Sequence, residues 1–196
     1  MSTSFGYRAR DERLEIRGHA LILGMVLFLA SELMFFAAWF ATYFDLRGHN
    51  KVWPPPDVHL DTVESTIGTF FLGVSSLFVY LAVKRIRKQQ ALRARAWLVG
   101  AIACGVIFLA IAVHGWLGDQ FGFSTHAYGS VHLGITGFHA LHVTAGVVAL
   151  AYLLAGVNRS AFVGAEAAGA DAIGYYWHFV FFVWFLGIWP MIYFVR

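Results

Sequence analysis

Residues 20–44 read Ala20-Leu-Ile-Leu-Gly-Met-Val-Leu-Phe-Leu-Ala-Ser-Glu-Leu-Met-Phe-Phe-Ala-Ala-Trp-Phe-Ala-Thr-Tyr-Phe44, with Glu32 the only acidic or basic residue among them. A helix needs about 20 apolar residues to cross a hydrocarbon core about 30 Å thick, and this stretch supplies them. Working outward, four more runs qualify. Residues 65–83 carry no charge, and 96–118 are interrupted only by His114. Residues 131–157 contain His132, His139 and His142, and 172–195 contain only His178. The alternating segments of about 10 residues that build a transmembrane barrel are absent from the sequence. The expectation is an all-α integral membrane bundle of five transmembrane helices, forming a single domain over 1–196.

Composition agrees. The chain is 59% hydrophobic, 17% aromatic and 13% charged, whereas soluble domains carry about 25% charged residues. Abundant aromatics and sparse charge also exclude a disordered chain. Cys104 is the only cysteine, so an internal disulfide, a cysteine redox pair and a cysteine metal cluster are all excluded. The first apolar run is too long for a signal peptide, carries a central Glu, and lacks a small-residue cleavage site.

Basic residues fix the expected orientation. Four precede the first span (Arg8, Arg10, Arg13, Arg17), six lie around the second loop (Lys84, Arg85, Arg87, Lys88, Arg93, Arg95), and Arg159 follows the fourth span. The opposite side has only Arg47, Lys51 and Arg196. The positive-inside rule therefore places the N-terminus in the cytoplasm and the C-terminus outside. The basic loop reads as a retention signal facing anionic lipid rather than a nucleic-acid site. Trp53-Pro-Pro-Pro56 is a stiff break after span one. The segment 119–130 reads as packing on a partner, and 161–172 as a small-residue inner loop.

Glu32 is the residue most in need of explanation. An ionised carboxylate at the centre of a span costs at least about 2.5–3.5 kcal/mol, so Glu32 must be protonated, hydrogen-bonded or paired. It is either a proton-handling or ligand-binding site, or a protonated Glu bonded to a histidine and pinning two helices. His139 and His142 share one face of span four, with His132 two turns earlier. Bridged irons would need more glutamates than the one buried here. A haem would need His139 or His142 to face His178 or His114 across the iron. Histidines bonded across helices to Glu32, Ser and Thr groups are the simpler expectation, so no metal ligand is assigned. Gly134, Gly137, Ala140, Ala145 and Gly146 permit close helix contacts. Tyr175–Trp177 and Trp189–Tyr193 read as interfacial belts. No phosphate loop and no nucleophile–base pair stands out, so no catalytic residue is assigned.

Five motifs occur in order: Ser31-Glu-Leu-Met-Phe-Phe36, Trp53-Pro-Pro-Pro56, Ala127-Tyr-Gly-Ser130, Thr136-Gly-Phe-His-Ala-Leu-His-Val-Thr-Ala-Gly146 and Tyr175-Tyr-Trp-His-Phe-Val180. Together, over about residue 18 to the C-terminus, they resemble subunit III of the haem-copper respiratory oxidases in its short five-span bacterial form. The first motif and Ile192-Tyr-Phe-Val-Arg196 resemble the actinobacterial cytochrome c oxidase branch.

The resemblance implies an accessory subunit with no redox cofactor of its own. Haem and copper would belong to partner subunits I and II of a proton-pumping oxidase, and a respiratory supercomplex is a further partner it allows. It also implies two helices (spans one and two) and three (spans three to five) around a cleft holding phospholipids, with Trp53, Arg17 and Arg85 as headgroup candidates. The family's buried carboxylate maps to Glu32 and its paired histidines to His139 and His142. With His178, these form the expected buried polar, proton-related set. The implied role is to steady subunit I and support proton uptake. Phe181 stands where the family usually has Asp, and residues 112–116 lack its usual Gln and Glu, with His114 as the replacement. Rival readings are a subunit-III-like protein of a nitric oxide reductase or quinol oxidase, a free-standing membrane haem or metal protein, and a small transporter, the last opposed by the lack of an inverted repeat.

Overall fold

The computed structural model describes residues 3–56, 58–158 and 165–194, with side chains for 15–56, 58–157 and 167–194. Arg159, Arg196 and residues 161–164 lie outside the described residues, as do the side chains of Arg8, Arg10 and Arg13. No strand occurs among the described residues. The helices are α1 (Thr3–His49), α2 (Thr62–Arg87), α3 (Ala91–Gly118), α4 (Ala127–Asn158), α5 (Ala165–Phe182) and α6 (Trp189–Tyr193), with a π-helical turn, Val183–Ile188, joining the last two. Among the described residues, five stretches are long and apolar enough to cross a membrane, α5 to α6 counting as one. At 47 residues, α1 is about 70 Å long and continues well past the apolar run at its start.

Local chemistry explains the boundaries. Asp61 caps α2, its Oδ1 accepting from the Val63 and Glu64 amides at 2.8 and 3.1 Å. Lys84, Arg85 and Arg87 occupy the last turn of α2, where cations face the negative end of the helix dipole. The turn into α3 has the paired bonds of a Schellman motif, Gln89 N to Ile86 O at 2.8 Å and Gln90 N to Arg85 O at 3.0 Å. Gln89 adopts a left-handed φ of 56°. Pro190 has no amide hydrogen to donate, and the helix takes its π turn immediately upstream, with Trp189 N bonding to Trp184 O.

The expected division into two and three helices is not what the packing shows. The most extensive interface joins α2 to α3, while α1 docks on α5 and α4 and does not pack along α2. Connection length is the reason. Only Lys88–Gln90 separates α2 from α3, which forces antiparallel neighbours. The long, proline-containing link after α1 imposes no such pairing.

The core is built by aromatics entering glycine gaps. Trp177, 1% exposed, sits so close to α3 and α4 that a Cβ on Gly105 would lie 2.9 Å from its ring and one on Gly146 2.6 Å. Trp177 is thus core and not part of an interfacial belt. Trp39 occupies the space over Gly134, and Phe40 that over Gly187, which docks α1. At the far end from the α2–α3 turn, Tyr43, Trp53 and Tyr128 interlock edge to face, with centroids 5.1–6.4 Å apart. Phe121 packs on Tyr128 and His132. Phe121 and Tyr128 of the 119–130 segment are therefore buried within this chain, whereas Phe123 is 60% exposed.

Candidate functional site

Glu32 faces α4 from the centre of α1. Its Oε2 lies 2.9 Å from His142 Nε2, with side-chain exposures of 21% and 12%. The other ring nitrogen, Nδ1, is 2.7 Å from the Phe138 carbonyl, which can only accept, so Nδ1 carries a hydrogen. Two states fit this geometry: a neutral imidazole accepting from protonated Glu32, or an imidazolium donating to the carboxylate. In both, one proton lies between Oε2 and Nε2, and the pair as a whole is neutral. That satisfies the bilayer's demand on Glu32. Phe36, 1% exposed, packs on the imidazole with centroids 5.1 Å apart. Tyr176 of α5 donates its hydroxyl to the His142 carbonyl at 3.0 Å. Three helices thus meet at this pair.

The remaining histidines turn elsewhere. His139 Nε2 donates to the Val180 carbonyl of α5 at 3.1 Å, its ring against Phe108 and Trp184. His178 Nδ1 lies 2.6 Å from Ser76 Oγ of α2. The four polar residues singled out in the sequence therefore form three separate cross-helix ties and do not converge on one centre. Among the described residues, no group of three or more His, Cys, Asp or Glu side chains is placed to hold a metal ion.

The lipid candidates also separate. Trp53 packs against Tyr43 and Tyr128 at one end, whereas Arg17 is exposed near the opposite end of α1. Arg85, at that same basic end, gives Nη1 to Gln90 Oε1 at 3.0 Å. The basic end holds a second tie for which the sequence offers no signal: Arg87 Nε and Nη2 both reach Asp171 Oδ1, at 3.0 and 2.8 Å. The departures in span five and span three are also accommodated. Phe181 lies over Gly73, 3.5 Å from where its Cβ would be, and stacks on Phe185. His114 Nδ1 meets Glu64 Oε1 of α2 at 2.6 Å.

A half-buried Glu–His tie on the first span, with a Trp-filled glycine seam and an aromatic cap after Trp53-Pro-Pro-Pro56, is the physical content of the sequence motifs. Residues 12–195 match the cytochrome c oxidase subunit III family. The chain belongs to that family. It is 36% identical over 184 residues to "Probable cytochrome c oxidase subunit 3" of Mycobacterium tuberculosis, covering 92% of this chain and 90% of the relative. Identity to "Cytochrome c oxidase subunit 3" of Corynebacterium diphtheriae is 34% over 190 residues, covering 92% and 90%. The protein of the same name from Thermostichus vulcanus is 31% identical over 166 residues, covering 84% and 83%. As a subunit III family member with five membrane-length helices, the chain is a multi-pass protein of the bacterial membrane and part of a multi-subunit oxidase.

Proposed function

We propose that this chain is the accessory, non-redox subunit III of a proton-pumping cytochrome c oxidase. It steadies the catalytic subunit I, contacts subunit II, and supports proton uptake in aerobic electron transport. Haem and copper reside in those partners, and this chain has no active site of its own. The observation that carries the reading is the use made of its polar groups. Glu32, His139, His142 and His178 each hold helices together, with Glu32 and His142 sharing one proton at a neutral pair.

The basic end, with Arg17, Lys84, Arg85 and Arg87, faces the cytoplasm under this reading. Phospholipid headgroups gather there, beside exposed Arg17 and half-buried Arg85, with acyl chains along the exposed apolar surface of α1 at Leu23, Leu27 and Met34. Affinity purification through a tag on this chain tests the assignment. Subunits I and II with haem and copper should co-purify, and the chain stripped from them should show no haem absorbance. A haem spectrum retained by the isolated chain, or recovery with a nitric oxide reductase, would overturn it.

A further inference from the structure

At the end of the bundle opposite the basic turn lies a chamber of about 180 Å³, bounded by α2, α3, α4 and α6. Its rim is the Glu64–His114 pair, with His114 77% and Glu64 29% exposed at the side chain. Deeper, Asp119 Oδ2 lies 3.7 Å from His132 Nε2, with side chains 9% and 3% exposed. His139 forms a wall two turns further along α4, about 10 Å from His132. The Nδ1 atoms of His132 and His139 are buried and have no hydrogen-bond partner among the described residues.

Those two nitrogens are closed off from the space, but the chamber, lined by carboxylates, imidazoles and hydroxyls, is large enough for several waters. A single water needs roughly 10–15 Å³ and two to four polar partners. The groups facing the space favour a cation. Asp61, Glu64 and Asp119 contribute carboxylates, His59 and Tyr193 add polar edges, and among the described residues no Lys or Arg lines the space. Asp61 commits Oδ1 to the α2 cap, which leaves the two His–carboxylate pairs as the proton-holding elements.

We propose that this chamber is an aqueous proton-binding site, in which an excess proton, carried as hydronium, is shared among water and the Glu64–His114 and Asp119–His132 pairs. Burial supports this independently, pushing the Asp119 carboxyl up to about 6, where it exchanges protons near neutral pH. The site is distinct from the Glu32–His142 pair, whose single proton is enclosed between two protein atoms. Only the identity of the aqueous phase it opens on rests on the orientation proposed above.

A hydrophilic carbodiimide tests it, because the reagent reacts with a protonated carboxyl that water can reach. The intact oxidase complex, in vesicles of each orientation, is treated with the reagent and Asp119 modification is read by peptide mass spectrometry. Asp45, at 71% side-chain exposure on the same end, is the reference. Asp119 should react at least fivefold faster than Asp45 at pH 7, with a rate falling toward tenfold per pH unit above 6. Modification only from the face bearing the basic turn would reverse the orientation and leave the chamber standing. An Ala112→Cys variant supplies a second readout, since a thiol there should react with a small hydrophilic thiol reagent in minutes. An unreactive thiol in the Ala112→Cys variant, or an Asp119 unmodified from both faces while Asp45 reacts, overturns the proposal.

Discussion

His142 donates Nδ1 to the carbonyl of Phe138, one turn earlier on its own helix, and presents Nε2 to Glu32 at 2.9 Å. The backbone bond fixes the ring and leaves Nε2 a choice between accepting a hydrogen and donating one. A side chain opposite it must therefore be able to reciprocate, and substitutions of Glu32 divide on that criterion.

Glu32→Gln keeps an amide N–H that donates to the bare Nε2. The complex should assemble with this subunit retained and most oxygen reduction intact. Glu32→Ala leaves a buried imidazole nitrogen unpaired, at a cost of ~1–3 kcal/mol, and should lower the amount of subunit III recovered with the complex. A Gln variant that assembles fully but no longer reduces oxygen or pumps protons would make Glu32 an obligatory proton carrier.

Trp177 leaves no room for a methyl group on either helix it abuts. Gly146→Ala places a carbon 2.6 Å from its ring, and overpacking of this kind costs about 1–3 kcal/mol. The thermal release of subunit III should shift down accordingly. Adding Trp177→Phe to Gly146→Ala should recover part of the loss, because the smaller ring vacates the contested space. Equal destabilisation by the single and double variants would place the strain elsewhere.

Gln89 holds the Schellman position at φ 56°, a conformation that costs an L-residue roughly 1 kcal/mol and glycine almost nothing. Gln89→Gly should therefore raise the melting temperature of the assembled complex slightly. A decrease would mean that the entropy glycine adds to the unfolded chain, or the lost Gln89 side chain, outweighs the relieved strain.

Asp119 gives a pH signature. Its carboxyl is raised from 3.8 to about 6 by burial, so the folded chain binds its proton more tightly than the unfolded chain does. That contribution is fully present below pH 3.8 and is lost as pH rises through 6. Subunit III retention should fall as pH is raised from about 4.5 to about 7, and Asp119→Asn should flatten this part of the curve. An unchanged slope in the Asn variant would assign the dependence to other groups.

Topology is testable with two exposed lysines. In a Cys104→Ser background, Lys51→Cys should be labelled in intact cells by an impermeant thiol reagent, and Lys88→Cys only after permeabilisation. The reverse pattern would invert the bundle.

The five crossings are legible because burial in lipid demands long uncharged runs, and Glu32 with a histidine of α4 is legible because a carboxyl there requires a partner. Helix grouping is not, because hydrophobic runs say nothing about which run touches which. The three-residue turn at Lys88–Gln90 is the available signal that α2 belongs with α3. The chamber is hidden for a related reason. Glu64, Asp119 and His114 each lie within about a turn of a helix end, where a polar residue is ordinary, and only the fold brings them together around His132. His132, an imidazole within an apolar run two turns from His139, is the one residue whose position hints at it.

The Glu32–His142 bond joins residues 110 positions apart in the chain, which sets an order of events during biosynthesis. At about 5–20 residues per second, α1 waits roughly 5–20 s in or beside the bilayer before its partner imidazole is made. Throughout that interval the carboxyl of Glu32 has no native counterpart, and α1 lacks the α4 and α5 surfaces on which it docks. The earliest made of these five helices is thus among the last to find its place. A nascent chain cut short after α3 would carry an orphan carboxyl, a mark by which membrane quality control could tell it from a finished subunit.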